Sequence, residues 1–334
     1  MAKKATTRNN SARSVKSSAA GAGRKNGNFF KRLRSIIIYM LALYGTHTLV
    51  AQYSTTYHKF VQKYTRAFTQ SYYDLSSKLS PQPTVIIRSK DDLARSKYDN
   101  LTLGVPAFCD VVIDRHGYAL GYSEQHEQPL WVSYKLTAGE VKTKKAKRSG
   151  DFRADNAVPT GSAEPEDYKG SFFDRGHLAP AADMSFSLQA MSESFYMSNM
   201  SPQRPGFNRG IWKKLEEQVR DLAVKYESLY VISGPIFDYS KMVVTIGKNK
   251  VAVPDKYFKV LLNANAANPQ AIGFILPNKD IKEDIGKFAV SVDAVEKATG
   301  LDFFNALDDS DEEKLESCFD YAWWKPSSSA GKRK

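Results

Sequence analysis

Apolar and aromatic residues gather along this chain in two distinct ways. Phe108–Ile113, Ala119–Tyr122 and Leu130–Tyr134 form one group of short dense blocks, and Tyr230–Ile232, Met242–Ile246, Tyr257–Leu262 and Ala271–Leu276 form a second. Blocks of this length bounded by turn residues predict strands. Asp114-Arg115-His116-Gly117 reads as the turn between the first two, and Gly234-Pro235 closes the fourth. Between the groups, Ile211, Leu215, Val219, Leu222 and Tyr226 recur at steps of three or four, predicting one amphipathic helix from Asn208 to Tyr226. Ile281–Phe288 and Ser291–Thr299 predict further helices, and Pro159, Gly161, Pro165 and Gly170 punctuate a loop over 139–170. No internal repeat is visible. Strands, a long helix, more strands and late helices together give a mixed α+β domain.

The ends of the chain differ in character. Residues 1–34 are rich in Lys, Arg, Ser, Asn, Ala and Gly, and predict a disordered basic leader. From Ser35 to Tyr53 no residue is charged, a stretch of 19 positions close to the roughly 20 that a spanning helix needs. Lys31, Arg32 and Arg34 precede it, so the positive-inside bias keeps the N-terminus cytoplasmic and exports the rest. The expectation is an uncleaved membrane anchor over 35–53 with an exported domain on the periplasmic or extracellular side. Two alternatives stand beside it: a mitochondrial transit peptide with an inner-membrane anchor facing the intermembrane space, and a cleaved secretory signal ending at Leu49-Val50-Ala51. Tyr57, Phe60, Val61, Tyr64, Phe68 and Tyr72 suggest a helical stalk over 54–80, followed by a domain over 81–325 and a basic tail over 326–334.

Charge changes the picture less than its total of +12 suggests. Residues 1–73 carry 13 Lys and Arg and no acid, and Asp74 is the first carboxylate; the other 261 residues hold 35 basic and 36 acidic residues, a net of −1. The basic excess therefore speaks for targeting or anionic lipid, not for a nucleic-acid groove. Lys142, Lys144, Lys145, Lys147, Arg148 and Arg153 offer a local positive cluster, equally readable as a solvated loop. Cys109 and Cys318 lack metal-binding spacing, which argues against a zinc site, and read either as a disulfide in an exported protein or as two free thiols.

Among the five histidines, His47 lies in the apolar segment, His58 in the stalk, His116 in a turn and His126 in a Gln/Glu-rich loop. His177 alone sits between a strand-like approach, Ser171-Phe172-Phe173, and a small-residue turn. It stands in Phe173-Asp174-Arg175-Gly176-His177-Leu178-Ala179-Pro180, where a neighbouring cation would hold its pKa down and keep it a neutral base. At about 100° per residue, Asn208 projects inward at the start of its helix and Glu216 falls about 80° round from it, two turns along. On the helix alone, Asn208 is equally a plain N-cap and Glu216 an exposed charge. No GxxxxGK[ST], GxGxxG or GxSxG element is present.

Taken together, Phe173–Asp183, Ser194–Gln203 and Phe207–Glu216 resemble the signature of the DNA/RNA non-specific endonucleases, a family with the ββα-metal (His-Me finger) fold and a central antiparallel sheet flanked by helices. Tyr168–Ser171 and Val253–Val260 are similar too, and the likeness covers roughly residues 81–322. The resemblance implies an Mg²⁺-dependent endonuclease, with Mn²⁺ as a substitute, cutting DNA and RNA without sequence preference to 5′-phosphate ends. It implies His177 as general base, Asn208 as the single protein ligand of the metal, and Glu216 as a carboxylate holding water on that metal. It further implies that Arg175 and Asn199 orient the site and offset developing charge, and that Asp174 holds the motif's backbone rather than acting chemically. Arg209, Lys145 and Arg148 are candidate substrate contacts, and a homodimer is an assembly the resemblance admits. Phe172 departs from the pattern, standing where glycine is expected, and would either narrow access to the site or fill a gap in the core. The competing readings are a non-catalytic nucleic-acid or membrane-surface binder on a degenerate nuclease fold, and a phosphodiesterase of small substrates.

Overall fold

The computed structural model describes residues 84–94 and 96–325, all within the unit spanning residues 72–334. Its strands are β1 (Val85–Ile87), β2 (Val111–Asp114), β3 (Ala119–Ser123), β4 (Gln128–Thr137), β5 (Asp174–His177), β6 (Met200–Gln203), β7 (Ser228–Ile236), β8 (Thr245–Ile246), β9 (Val251–Ala252), β10 (Lys256–Asn263), β11 (Gln270–Pro277) and β12 (Ala289–Val290). Eight of them form one antiparallel sheet in the order β1-β2-β3-β4-β7-β10-β11-β12, while β5 pairs with β6 and β8 with β9. The helices are α1 (Lys90–Leu93), α2 (Ala138–Lys142), α3 (Leu188–Glu193), α4 (Lys213–Lys225), α5 (Val292–Thr299) and α6 (Asp309–Glu316).

Both faces of the sheet are buried, which is why its strands read as continuous apolar blocks. Alternate side chains go to opposite faces. In β10, Tyr257 and Leu261 join the cluster containing Trp212, Leu215, Val219 and Leu222, whereas Phe258, Val260 and Leu262 join one with Val292, Val295, Phe303 and Phe304. The α4 layer thus covers one face and the α5 layer the other. Each fully buried large apolar side chain contributes roughly 1.5–3 kcal/mol, so Leu215, Val219 and Leu222 alone anchor α4 firmly.

Several expectations need correction. The loop over 139–170 begins instead as α2, whose Thr137 and Glu140 side chains form a reciprocal capping box. Met242–Ile246 is a strand only at Thr245–Ile246, outside the main sheet, with Met242 exposed. Ile281–Phe288 contains a single 3-10 turn, Ile285–Phe288. The long helix does not start cleanly at Asn208: a wide turn, Phe207–Trp212, precedes α4 and is kinked at Gly210. Cys109 and Cys318 are both free thiols. Among the described residues no helix is long and apolar enough to cross a membrane. The leader 1–34, the anchor 35–53, the stalk 54–80 and the tail 326–334 lie outside the described residues.

Candidate active site

The antiparallel hairpin β5–β6 and the turn leading into α4 form a ββα unit packed on the sheet. Gly176 faces Ser201 across the hairpin. A Cβ on Gly176 would come within 2.1 Å of Gln203, so the missing side chain lets the two strands close. Behind the hairpin, Arg115 and Asp155, each 2% exposed, form an ion pair at 2.5 Å. Ser198 donates to the same carboxylate, tying the β2–β3 turn to the residues before β6.

His177 ends β5 and is 8% exposed. Its ring stands edge-on to Phe195 and Phe152, with centroids 4.9 and 5.7 Å away. Nε2 is buried without a hydrogen-bond partner. Burial, then the charges of Arg148 and Arg175, push its pKa down to about 3. The expected influence of a neighbouring cation is present, but desolvation outweighs it. Arg175 lies 4.0 Å from the centroid of Phe152 and Arg148 5.0 Å from that of Phe195. The same two rings that hold the imidazole therefore carry both guanidinium groups. A cleft of about 360 Å³ opens beside Arg175, lined also by Tyr168, Lys169, Phe173 and Asp174.

Asn208 is not an N-cap; Gly206 occupies that place. Its Nδ2 donates to Asp174 Oδ2 at 3.0 Å. Arg209 grips the same carboxylate through Nε at 2.8 Å and Nη2 at 2.6 Å. Asp174 therefore braces two side chains rather than its own backbone, and it presents Asn208 Oδ1 with no protein donor on it. Arg209, 73% exposed, is tied to the scaffold at one edge of its guanidinium.

Glu216 is half-buried, not an exposed charge. Desolvation raises its pKa to about 8 against the opposing pull of Lys259. Lys259 is 0% exposed, its ammonium 4.5 Å from the centroid of Trp212 and without a hydrogen bond. Burial lowers its pKa to about 8 while Glu216 opposes that shift. Asp183, also 0% exposed, accepts from Arg220 and from the Tyr134 hydroxyl, each at 2.8 Å. Arg148 faces both Glu216 and His177, so these groups share one electrostatic environment.

Asn199 is engaged entirely with the backbone, as an orienting residue would be. It is 0% exposed; its Oδ1 accepts from the Ala179 amide at 2.9 Å, and its Nδ2 donates to the carbonyls of Ala179 and Ser194 at 3.0 and 2.9 Å. It fixes the chain just past His177. Lys145 is exposed on its loop. Sequence reasoning missed Lys259, Asp183 and Arg220. Arg220 stands four residues beyond Glu216 on α4, hence on the same face. Lys259 was signalled by a lone charge inside an apolar block.

As to a metal, Asn208 Oδ1 and the Glu216 carboxylate are hard oxygen donors among the described residues. That set suits a hydrated divalent cation that keeps most of its water.

The family described as DNA/RNA non-specific endonuclease matches residues 97–310. A nuclease of Syncephalastrum racemosum is 36% identical over 67% of this chain and 77% of its own length. Nuclease C1 of Cunninghamella echinulata var. echinulata is 39% identical over 62% of this chain and 88% of its own. Human mitochondrial endonuclease G is 38% identical over 60% and 71% respectively. A chain in the crystal structure of the EndoG/EndoGI complex, 33% identical, superposes with a TM-score of 0.59 over 63% of this chain and 91% of that one.

Proposed function

The chain belongs to the DNA/RNA non-specific endonuclease family and is an endonuclease, and on that premise we propose that it hydrolyses DNA and RNA with Mg²⁺, or Mn²⁺ in its place, to 5′-phosphate ends. The observation that carries this reading is the buried, unpartnered Nε2 of His177 between two arginines. An imidazole kept neutral there takes a proton from the water that attacks phosphorus; the new P–O bond forms as the bond to the 3′-oxygen breaks. A positioned base of this kind contributes typically about 10²–10⁴-fold.

Asn208 Oδ1 would hold the cation, with Asp174 setting its direction, and Glu216 would accept hydrogen bonds from water around it. When bound, the cation offsets charge on the phosphoryl and departing oxygens. Arg175 and Arg148 add positive charge where the phosphate enters. Contacts to phosphate position the substrate without reading bases, which accounts for weak sequence preference. An anchor over 35–53 holds the domain at a membrane. The word mitochondrial in the names of endonuclease G and EXOG relatives, with the basic acid-free leader, favours the mitochondrial location over export from the cell.

Plasmid nicking with and without EDTA tests the reading. Metal-dependent nicking is expected, lost in His177→Ala and strongly reduced in Asn208→Ala. Full activity in either variant overturns the assignment.

A further inference from the structure

On the sheet face opposite α4, three carboxylates converge. Asp293 and Glu296 stand one turn apart on α5, and Glu316 ends α6. One oxygen from each lies within 4.8 Å of the other two. Glu316 is only 6% exposed and its Oε1 has no hydrogen-bond partner. The charges that act on it most strongly are other carboxylates: Glu296, Glu312, Asp293 and Asp302. An anion so buried is costly unless protonated, paired or bound to a metal. Burial and these neighbours push its pKa up to about 8, so the group keeps a proton when nothing else neutralises it.

We propose that Asp293, Glu296 and Glu316 bind one hard divalent cation of the Ca²⁺ class, separate from the active site, that clamps α5 to α6. Ligand chemistry favours calcium: Ca²⁺ is commonly held by several carboxylates and water in flexible geometry, whereas Mg²⁺ usually takes one or two carboxylates and keeps most of its water. Asp293 is exposed, leaving an open side for entry and for the waters that complete the shell. Glu296 Oε1 already accepts from the Phe303 amide at 2.8 Å, which fixes its direction. The cation would thus stabilise the far layer of the sheet without touching the chemistry.

The test is thermal unfolding of the full chain, stripped with chelator and then titrated with Ca²⁺ alone. At a hundredfold excess over Kd, the midpoint is expected to rise by roughly 5–10 °C. Asn208→Ala, which removes the proposed catalytic ligand, should keep the whole rise. Glu316→Gln should lose it, while its midpoint in chelator stays close to that of the parent because glutamine stands in for the protonated carboxyl. Asp293→Asn, at an exposed position, reads the same loss without disturbing the core. No rise in the parent chain, or a rise retained in both carboxylate variants, overturns the proposal; so does a rise abolished by Asn208→Ala.

Discussion

Phe172 is the residue whose replacement the structure makes most informative. Its φ is 65°, in the left-handed region, yet its side chain is 85% exposed. The exposure excludes a core-filling role. The backbone is pinned on both sides: Ser171 Oγ donates to the Tyr168 carbonyl at 2.8 Å and accepts from the Phe173 amide at 3.2 Å. The residue therefore cannot relax out of its conformation, which costs a non-glycine residue roughly 1–2 kcal/mol. Glycine removes that strain but restores about 0.4–1 kcal/mol of unfolded-chain entropy. Little packing is lost, so Phe172→Gly should stabilise the fold by about 0.5–1 kcal/mol, raising the thermal midpoint by about 1–4 °C for a domain of this size. Urea unfolding at unchanged m-value gives the difference directly. Phe172→Ala is the control: it removes the ring but keeps the strain, and should move the midpoint little. If glycine destabilises while alanine is neutral, the strain argument is wrong; if both destabilise equally, the ring and not the backbone carries the effect.

Other consequences are as direct. The folded pKa of His177, about 3, lies below its ordinary 6.5, so its contribution to stability is full above pH 6.5 and drains away as pH falls toward 3. The loss reaches roughly 4–5 kcal/mol, and His177→Gln should flatten the urea midpoint over that window relative to the parent; parallel profiles would contradict the burial argument. Asp174→Ala frees Asn208 and Arg209, and the Mg²⁺ needed for half-maximal nicking should rise about 10–100-fold; an unchanged requirement would mean that Asn208 needs no brace. Lys259→Met removes the strongest positive influence on Glu216, while Arg220 and Arg148 remain, and should cost roughly 1–3 kcal/mol, most of it recovered in the double variant with Glu216→Gln. Additive losses in that double variant would show that the two groups do not interact.

The strands that sequence patterning located best are those buried on both faces. Tyr257–Leu262 and Ala271–Leu276 were placed to within a residue of β10 and β11 at each end, because neither face tolerates a polar residue without a partner. Patterning failed where apolar spacing existed without a surface to receive a whole element. Ile281, Ile285 and Phe288 are spaced for a helix, but Asp284 Oδ1 accepts from the Gly286 amide and starts a single turn, with Gly286 against the Tyr321 ring. Val243–Ile246 has strand propensity, but β10 already occupies the edge of β7. Propensity does not reveal which ladder is taken. Thr137-Ala138-Gly139-Glu140 did carry a helix-start signal of the S/T-x-x-E kind, and it marks α2.

At the site, identity was more legible than arrangement. Elimination found His177, and helix geometry set Asn208 and Glu216 on the inward side of one element. Neither could show that Asp174, 34 positions before Asn208, would hold its amide, because that contact depends on the hairpin register and on the wide turn ahead of α4. Lys259 shows what such register decides. One residue either way along β10 would aim its ammonium at Val292 and Phe303; as folded, it shares a face with Tyr257 and Leu261 and lies over Trp212 beside Glu216. A buried cation without hydrogen bonds is costly away from a carboxylate, and a carboxylate drawn out of water stays charged more readily beside a cation. The placement of one lysine in an apolar strand and one glutamate on a helix is therefore a single constraint, satisfied only when the ββα unit docks on the sheet in this register.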